Sequence, residues 1–111
     1  MSKSIGFIGG GAMATGIIKG ILSANTLTAE EIYVKELLPE RQVYLKETYG
    51  LQLADSLKEL AEKAKVLVLE VCPQDAEKAA KELSEVITQE HVLVSICAGI
   101  KIEKLSGWIG E

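Results

Sequence analysis

Apolar residues along the chain alternate between short unbroken runs and stretches with helical spacing. The first run, Ile5 to Ile8, meets three glycines, Gly9, Gly10 and Gly11. Beyond them Met13, Ile17, Ile18, Ile21 and Leu22 recur with the period of a helix and are expected to share one face, until the pattern stops near residues 23–25. Thr28 and Glu31 have the spacing of a capping box, with room for one turn at most before a second run, 32–35, rich in β-formers. Pro39 suits the first turn of a helix, where its missing N–H costs nothing, and predicts a helix over 39–49. Gly50 then stands where a left-handed cap is wanted. A short third strand is read at 51–53, and Ser56 and Glu59 open another capped helix, to about residue 64. Residues 66–71 are nearly all apolar without alternation, the pattern of a strand buried on both faces. Pro73 ends that strand, and from Asp75 the residues Ala76, Ala79, Ala80, Leu83 and Ile87 return to helical spacing. A fifth apolar strand follows at 92–96, then a turn at Ala98 and Gly99, then a helix carrying Ile102, Leu105 and Ile109.

This is strand–helix repeated five times. Helical crossovers between strands predict an α/β fold: a Rossmann-like, doubly wound parallel sheet in the order 3-2-1-4-5, with helices on both faces. Residues 1–111 are read as one Rossmann domain, without linker or internal repeat. Ligands of such sheets sit beyond the carboxyl ends of the strands, so residues 9–14, 35–38, 71–74 and 97–99 are expected around one crevice.

The glycine turn carries the candidate chemistry. Gly9, Gly11 and Ala14 fit G-x-G-x-x-G/A, placed between a strand and a helix as a dinucleotide fingerprint requires. Gly9 allows the tight turn, Gly11 lets a pyrophosphate approach the backbone, and the small Ala14 lets the helix lie close to the strand. The helix start is expected to offer unpaired N–H groups and the positive end of its dipole. The alternative is an ordinary structural turn.

Composition narrows the partners. The 111 residues are 48% hydrophobic and 25% charged, with a net charge of −4. No basic stripe points to nucleic acid, and no apolar run is long enough to span a bilayer. The apolar N-terminus is too broken by glycine for a signal peptide, so a cytoplasmic location is expected. Cys72 and Cys97 form neither a disulfide framework nor a zinc spacing, and no metal site is read.

Three segments together are more specific: residues 6–14 with the glycine turn, Val71-Cys72-Pro73-Gln74, and Val94-Ser95-Ile96-Cys97-Ala98-Gly99-Ile100. Over essentially the whole chain the sequence resembles pyrroline-5-carboxylate reductase. The resemblance implies an NADP(H)-preferring reductase, with NAD the alternative, that passes hydride from nicotinamide to a cyclic imine and yields proline. It also implies a further, helical domain that builds a homo-oligomer and much of the imine site, so the chain reads as the nucleotide-binding part of a longer enzyme. Carried over by position, Gly9, Gly11, Ala12, Met13 and Ala14 would hold the pyrophosphate. Val71, Cys72 and Pro73 would line the ribose and nicotinamide side, and Ala98 and Gly99 would lie by the nicotinamide ring. The chain departs from the family at Cys72, where a Lys is frequent, at Glu70, where a small apolar residue is frequent, and at Cys97, where Ala is frequent. Rival readings are a stand-alone NAD(P)-binding or regulatory module, and another imine or carbonyl reductase. No catalytic acid or base stands out.

Several residues carry two readings. Glu36, at the end of the second strand, is placed to bind an adenine-ribose 2′-OH, whereas Lys35 and Arg41 nearby would favour a 2′-phosphate; alternatively all three are solvated charges. Cys72 and Cys97 are a thiol redox pair or two small semi-buried residues. Glu70 interrupts an apolar strand, and a buried carboxylate needs a partner. It is a proton donor near the site, or it reaches the sheet's rim or a Lys. His91, before the fifth strand, is read as a surface residue away from the crevice. Trp108 and Ile109 cover a neighbouring domain or serve helix packing.

Overall fold

The computed structural model describes residues 4–70 and 73–95. The expectations for Val71, Cys72, Cys97, Ala98, Gly99, Trp108 and the last helix fall outside these residues. The strands are β1 (Ile5–Ile8), β2 (Ile32–Lys35), β3 (Gln52–Leu53), β4 (Val66–Leu69) and β5 (Val92–Ser95). They form one sheet in the order β3-β2-β1-β4-β5, every neighbouring pair parallel. The expected order and direction therefore stand. β1 lies between β2 and β4, with Ile8 level with Lys35 on one side and Leu69 on the other.

Alternation of side chains divides the core into two layers. Phe7, Ile32, Val34 and Val68 pack with Ala14 and Ile18 of α1 (Ala12–Ser23) and Leu45 of α2 (Pro39–Tyr49). Ile8, Leu67 and Leu69 pack on the opposite face with Leu60 and Ala61 of α3 (Leu57–Lys63) and Ala80 and Leu83 of α4 (Pro73–Ser84). Strands covered on both sides show no polar alternation, which is why their sequences read as continuous apolar runs. Gly6 is one point of close contact, since a Cβ there would come within 2.8 Å of the Leu60 side chain.

Helix ends follow local chemistry. Gly50 takes the left-handed conformation (φ 74°) after α2, and its N–H donates to the Lys46 carbonyl at 2.8 Å. After α1 the left-handed position falls to Asn25 (φ 56°). Its N–H reaches Leu22 and that of Thr26 reaches Ile21, the paired bonds of a Schellman end. Ser56 accepts the Glu59 N–H at the start of α3, while the Glu59 carboxylate takes the Asp55 N–H at 2.7 Å. Thr28 donates its N–H to Glu31 around the single 3-10 turn Ala29–Glu31.

Four expectations are corrected. The buried edge of α1 is Ala14 and Ile18, with Ile21 and Leu22 half-buried, while Met13 and Ile17 are exposed. The helix lies with the small Ala14 against the sheet, which turns the Met13–Ile17 edge outward. Helix α4 starts at Pro73, two residues early, because a proline without an N–H suits its first turn. It ends at Ser84, so Ile87 packs on the core from the following loop, its N–H bonded to the Leu83 carbonyl. His91 is half-buried and tied in place: Nε2 lies 2.7 Å from the Ala61 carbonyl, and Nδ1 accepts the Thr88 N–H at 2.9 Å. A carbonyl only accepts, so Nε2 carries the proton. His91 thereby caps the open end of α3.

Candidate functional site at the glycine turn

The glycine turn crosses the carboxyl end of β1, between the ends of β2 and β4. Backbone bonds pin it on both sides. The Gly9 N–H donates to the Lys35 carbonyl at 2.9 Å, and the Glu70 N–H donates to the Ile8 carbonyl at 2.8 Å. Gly9 has φ 96°, and a Cβ on it would lie 1.8 Å from the Glu70 carbonyl oxygen. Glycine is thus demanded twice, by conformation and by the passing strand. Gly10 is buried, and a Cβ there would come within 2.5 Å of Leu45 Cδ1. Gly11 is the N-cap of α1 with extended backbone and no side chain to cap with. Its carbonyl accepts the first helical bond, from Thr15 at 2.9 Å.

Three amides of this turn, those of Gly10, Met13 and Ala14, are not the open donors that the sequence predicts but point at carboxylates. Glu70 Oε1 accepts the Ala14 N–H at 2.9 Å, and Oε2 accepts the Met13 N–H at 3.2 Å. Glu36 Oε1 accepts the Gly10 N–H at 2.7 Å, and Oε2 accepts the Leu38 N–H at 3.0 Å. Both carboxylates are half-buried. Glu70 thus stands at the rim of the sheet, just past β4, and its carboxylate meets backbone amides there and not a lysine. It caps α1 from another strand, satisfying donors that a glycine N-cap leaves open.

Arg41, in the first turn of α2, completes the wall. It donates to the Gly10 carbonyl at 2.5 Å and to Thr15 Oγ1 at 3.1 Å, and its guanidinium lies 4.8 Å from the centre of the Tyr44 ring. Gln42 donates to the Glu36 carbonyl at 2.6 Å. Glu36 and Arg41 are thus fixed parts of the site rather than solvated charges. Lys35 enters it through its backbone carbonyl. Among the predicted cofactor residues the structure brings together Gly9, Gly11, Ala12, Met13, Ala14, Lys35 and Glu36. Pro73 is the first residue of α4, and Val71, Cys72, Ala98 and Gly99 lie outside the described residues. The sequence reading left out Gly10, whose N–H holds Glu36. The signal was present: a third glycine between the two fingerprint glycines.

Comparison with known proteins agrees with this geometry. The sequence profile described as NADP oxidoreductase, coenzyme F420-dependent, matches residues 4–99. The chain is 33% identical to pyrroline-5-carboxylate reductase of Arabidopsis thaliana, covering 99% of this chain and 40% of that protein. It is 29% identical to the enzyme of that name from Escherichia coli K12, covering 100% and 41%. Among solved structures, pyrroline-5-carboxylate reductase from Coxiella burnetii superposes with a TM-score of 0.90 at 27% identity, over 100% of this chain and 41% of that one. Plasmodium falciparum pyrroline carboxylate reductase, solved with NADP bound, gives 0.80 at 26% identity over 96% and 37%. The chain thus spans about two fifths of the length of these relatives, 40% and 41% for the first two. The match over nearly every residue, on a fold and glycine turn of this form, places the chain in the family of NADP oxidoreductases described as coenzyme F420-dependent.

Proposed function

We propose that this chain is the NAD(P)-binding part of a pyrroline-5-carboxylate reductase, with NADP as the cofactor and NAD as the alternative. One observation carries the reading. Three backbone N–H groups, of Gly10, Met13 and Ala14, converge on carboxylate oxygens at the turn between β1 and α1. Donors that already hold anions at a helix N-terminus suit the oxygens of a diphosphate. The residues present fit the group: a Cβ at Gly11 would stand where the diphosphate has to approach. Glu36 has lone pairs left for a ribose hydroxyl, and Arg41 supplies a cation beside it. When bound, the nicotinamide supplies hydride to the carbon of a cyclic imine. The chain's own residues hold and orient it: Gly9, Gly11, Ala12, Met13 and Ala14 at the diphosphate, and Lys35 and Glu36 at the adenosine end. Val71, Cys72, Pro73, Ala98 and Gly99 belong to the nicotinamide side.

The imine substrate, the homo-oligomer and a cytoplasmic location belong to the same proposal, drawn from the relatives' names and from the resemblance. Neither nucleic acid nor membrane is proposed as a partner. The net charge of −4 opposes nucleic acid, and no helix among the described residues is long and apolar enough to cross a membrane.

Titration with NADPH and NADH, followed by nicotinamide fluorescence, tests the reading. Saturable binding is expected, tighter for NADPH. No response to either dinucleotide, in the parent chain and in a variant lacking the Glu70 carboxylate, would overturn it.

A further inference from the structure

We propose that Glu70 is a built-in occupant of the dinucleotide cradle, an autoinhibitory anion that the cofactor's diphosphate has to displace. The inference rests on the cofactor reading above and deepens it. The Glu70 carboxylate bonds the Met13 and Ala14 N–H groups at 3.2 and 2.9 Å, the donors assigned to the diphosphate. It also lies over Gly11. A Cβ built there would be 3.2 Å from Oε1 and 3.3 Å from Oε2, so the carboxylate fills the space that the glycine leaves free. One set of donors serves one anion, and two anions in a half-buried turn repel each other.

The occupation is reversible by design of the backbone. The Glu70 N–H is held by the Ile8 carbonyl at 2.8 Å, so the main chain stays in the sheet while the side chain swings about its own torsions. Glu36 differs. Its carboxylate bonds Gly10 and Leu38, to the β2 side of the helix axis, and remains compatible with a bound ribose. An apparent affinity falls by the fraction of molecules whose cradle is open. Glu70 therefore sets the concentration of dinucleotide at which the chain fills.

The test is a titration of the 111-residue chain with NADPH and with NADH, comparing the parent with Glu70→Ala and Glu70→Gln. Folding is checked by circular dichroism. Glu70→Gln retains a carbonyl acceptor for the helix N-terminus, so it keeps the experiment readable where Glu70→Ala fails to fold. Both variants are expected to bind the preferred dinucleotide at least about tenfold more tightly, about 1.4 kcal/mol. Glu62→Gln, the same change of charge at an exposed position of α3, is expected to leave the affinity unchanged. Parent and Glu70 variants binding equally, or variants binding more weakly, would overturn the inference and leave the cofactor reading standing. A gain in Glu62→Gln equal to that in Glu70→Gln would overturn it too, by showing an effect of net charge alone. Failure of every form to bind either dinucleotide would remove the cofactor reading itself.

Discussion

Gly9→Ala is the most informative perturbation of the turn. An alanine at φ 96° enters a region that L side chains rarely adopt, at a cost of about 1–2 kcal/mol. Its Cβ would also sit 1.8 Å from the Glu70 carbonyl oxygen, which belongs to backbone bonded to β1 and cannot rotate aside. Forcing atoms into a packed site costs about 1–3 kcal/mol. Together the change is expected to remove about 2–5 kcal/mol, a large share of the roughly 5–15 kcal/mol that holds an ordinary domain. With a urea dependence of about 1–3 kcal/mol per molar, the unfolding midpoint should fall by at least about 0.7 M. Gly16→Ala and Gly20→Ala are matched controls. Both positions are exposed within α1, and a Cβ at either meets nothing within 4 Å. Each should raise stability by about 0.5–1 kcal/mol, the ordinary gain of alanine over glycine inside a helix. A Gly9→Ala chain that unfolds at the parent midpoint, or gains like the controls, would refute the geometric argument.

Three further outcomes follow from the same structure. Gly11→Val should fold, because its extended backbone admits any residue and the nearest atoms are the movable end of Glu70, yet it should lose dinucleotide binding by more than tenfold in the same fluorescence titration. His91→Ala removes the bonds to Ala61 and Thr88 and should cost about 1–3 kcal/mol in urea unfolding, with no change in cofactor affinity. Lys65 bonds Glu90 and holds its carboxyl below the ordinary value. A lowered folded-state value means that the pair contributes above the unfolded-state value and is lost as pH falls through the folded one. Glu90→Gln should therefore flatten the acid limb of stability against pH, slightly, because the pair is exposed and screened by salt.

The order of the sheet was legible because each strand is a short apolar run and each connection carries a helix signal. The glycine turn was legible because its spacing is set by backbone geometry, which the sequence records directly. What the turn does with its donors was less visible, although the clue is a period of two. Ile32, Val34 and Glu36 share one face of the β2 line, and Val66, Val68 and Glu70 share one face of the β4 line. On both lines this is the face covered by α1 and α2, as Val34 and Val68 show. Each glutamate is therefore the first polar residue beyond a buried valine, and it emerges beside the start of α1. Reading Glu70 as a break in an apolar strand missed this, because a partner on a distant helix is a tertiary fact. The same holds for His91, whose bond to Ala61 spans 30 positions. Met13 and Ile17 misled because helical spacing fixes which residues share a stripe, not which edge of a broad stripe turns inward. Ala14, too small to mark a hydrophobic face, decides that orientation by letting α1 approach the sheet.

The central claim is that the amides of the β1–α1 turn receive a diphosphate in place of the Glu70 carboxylate. An amide-resolved NMR titration with NADPH addresses it most directly. The account predicts that the largest shifts fall on Gly10, Gly11, Ala12, Met13 and Ala14, with the Glu70 side chain shifting at the same ligand concentrations. Saturable binding that leaves the Met13 and Ala14 amides unmoved would contradict it.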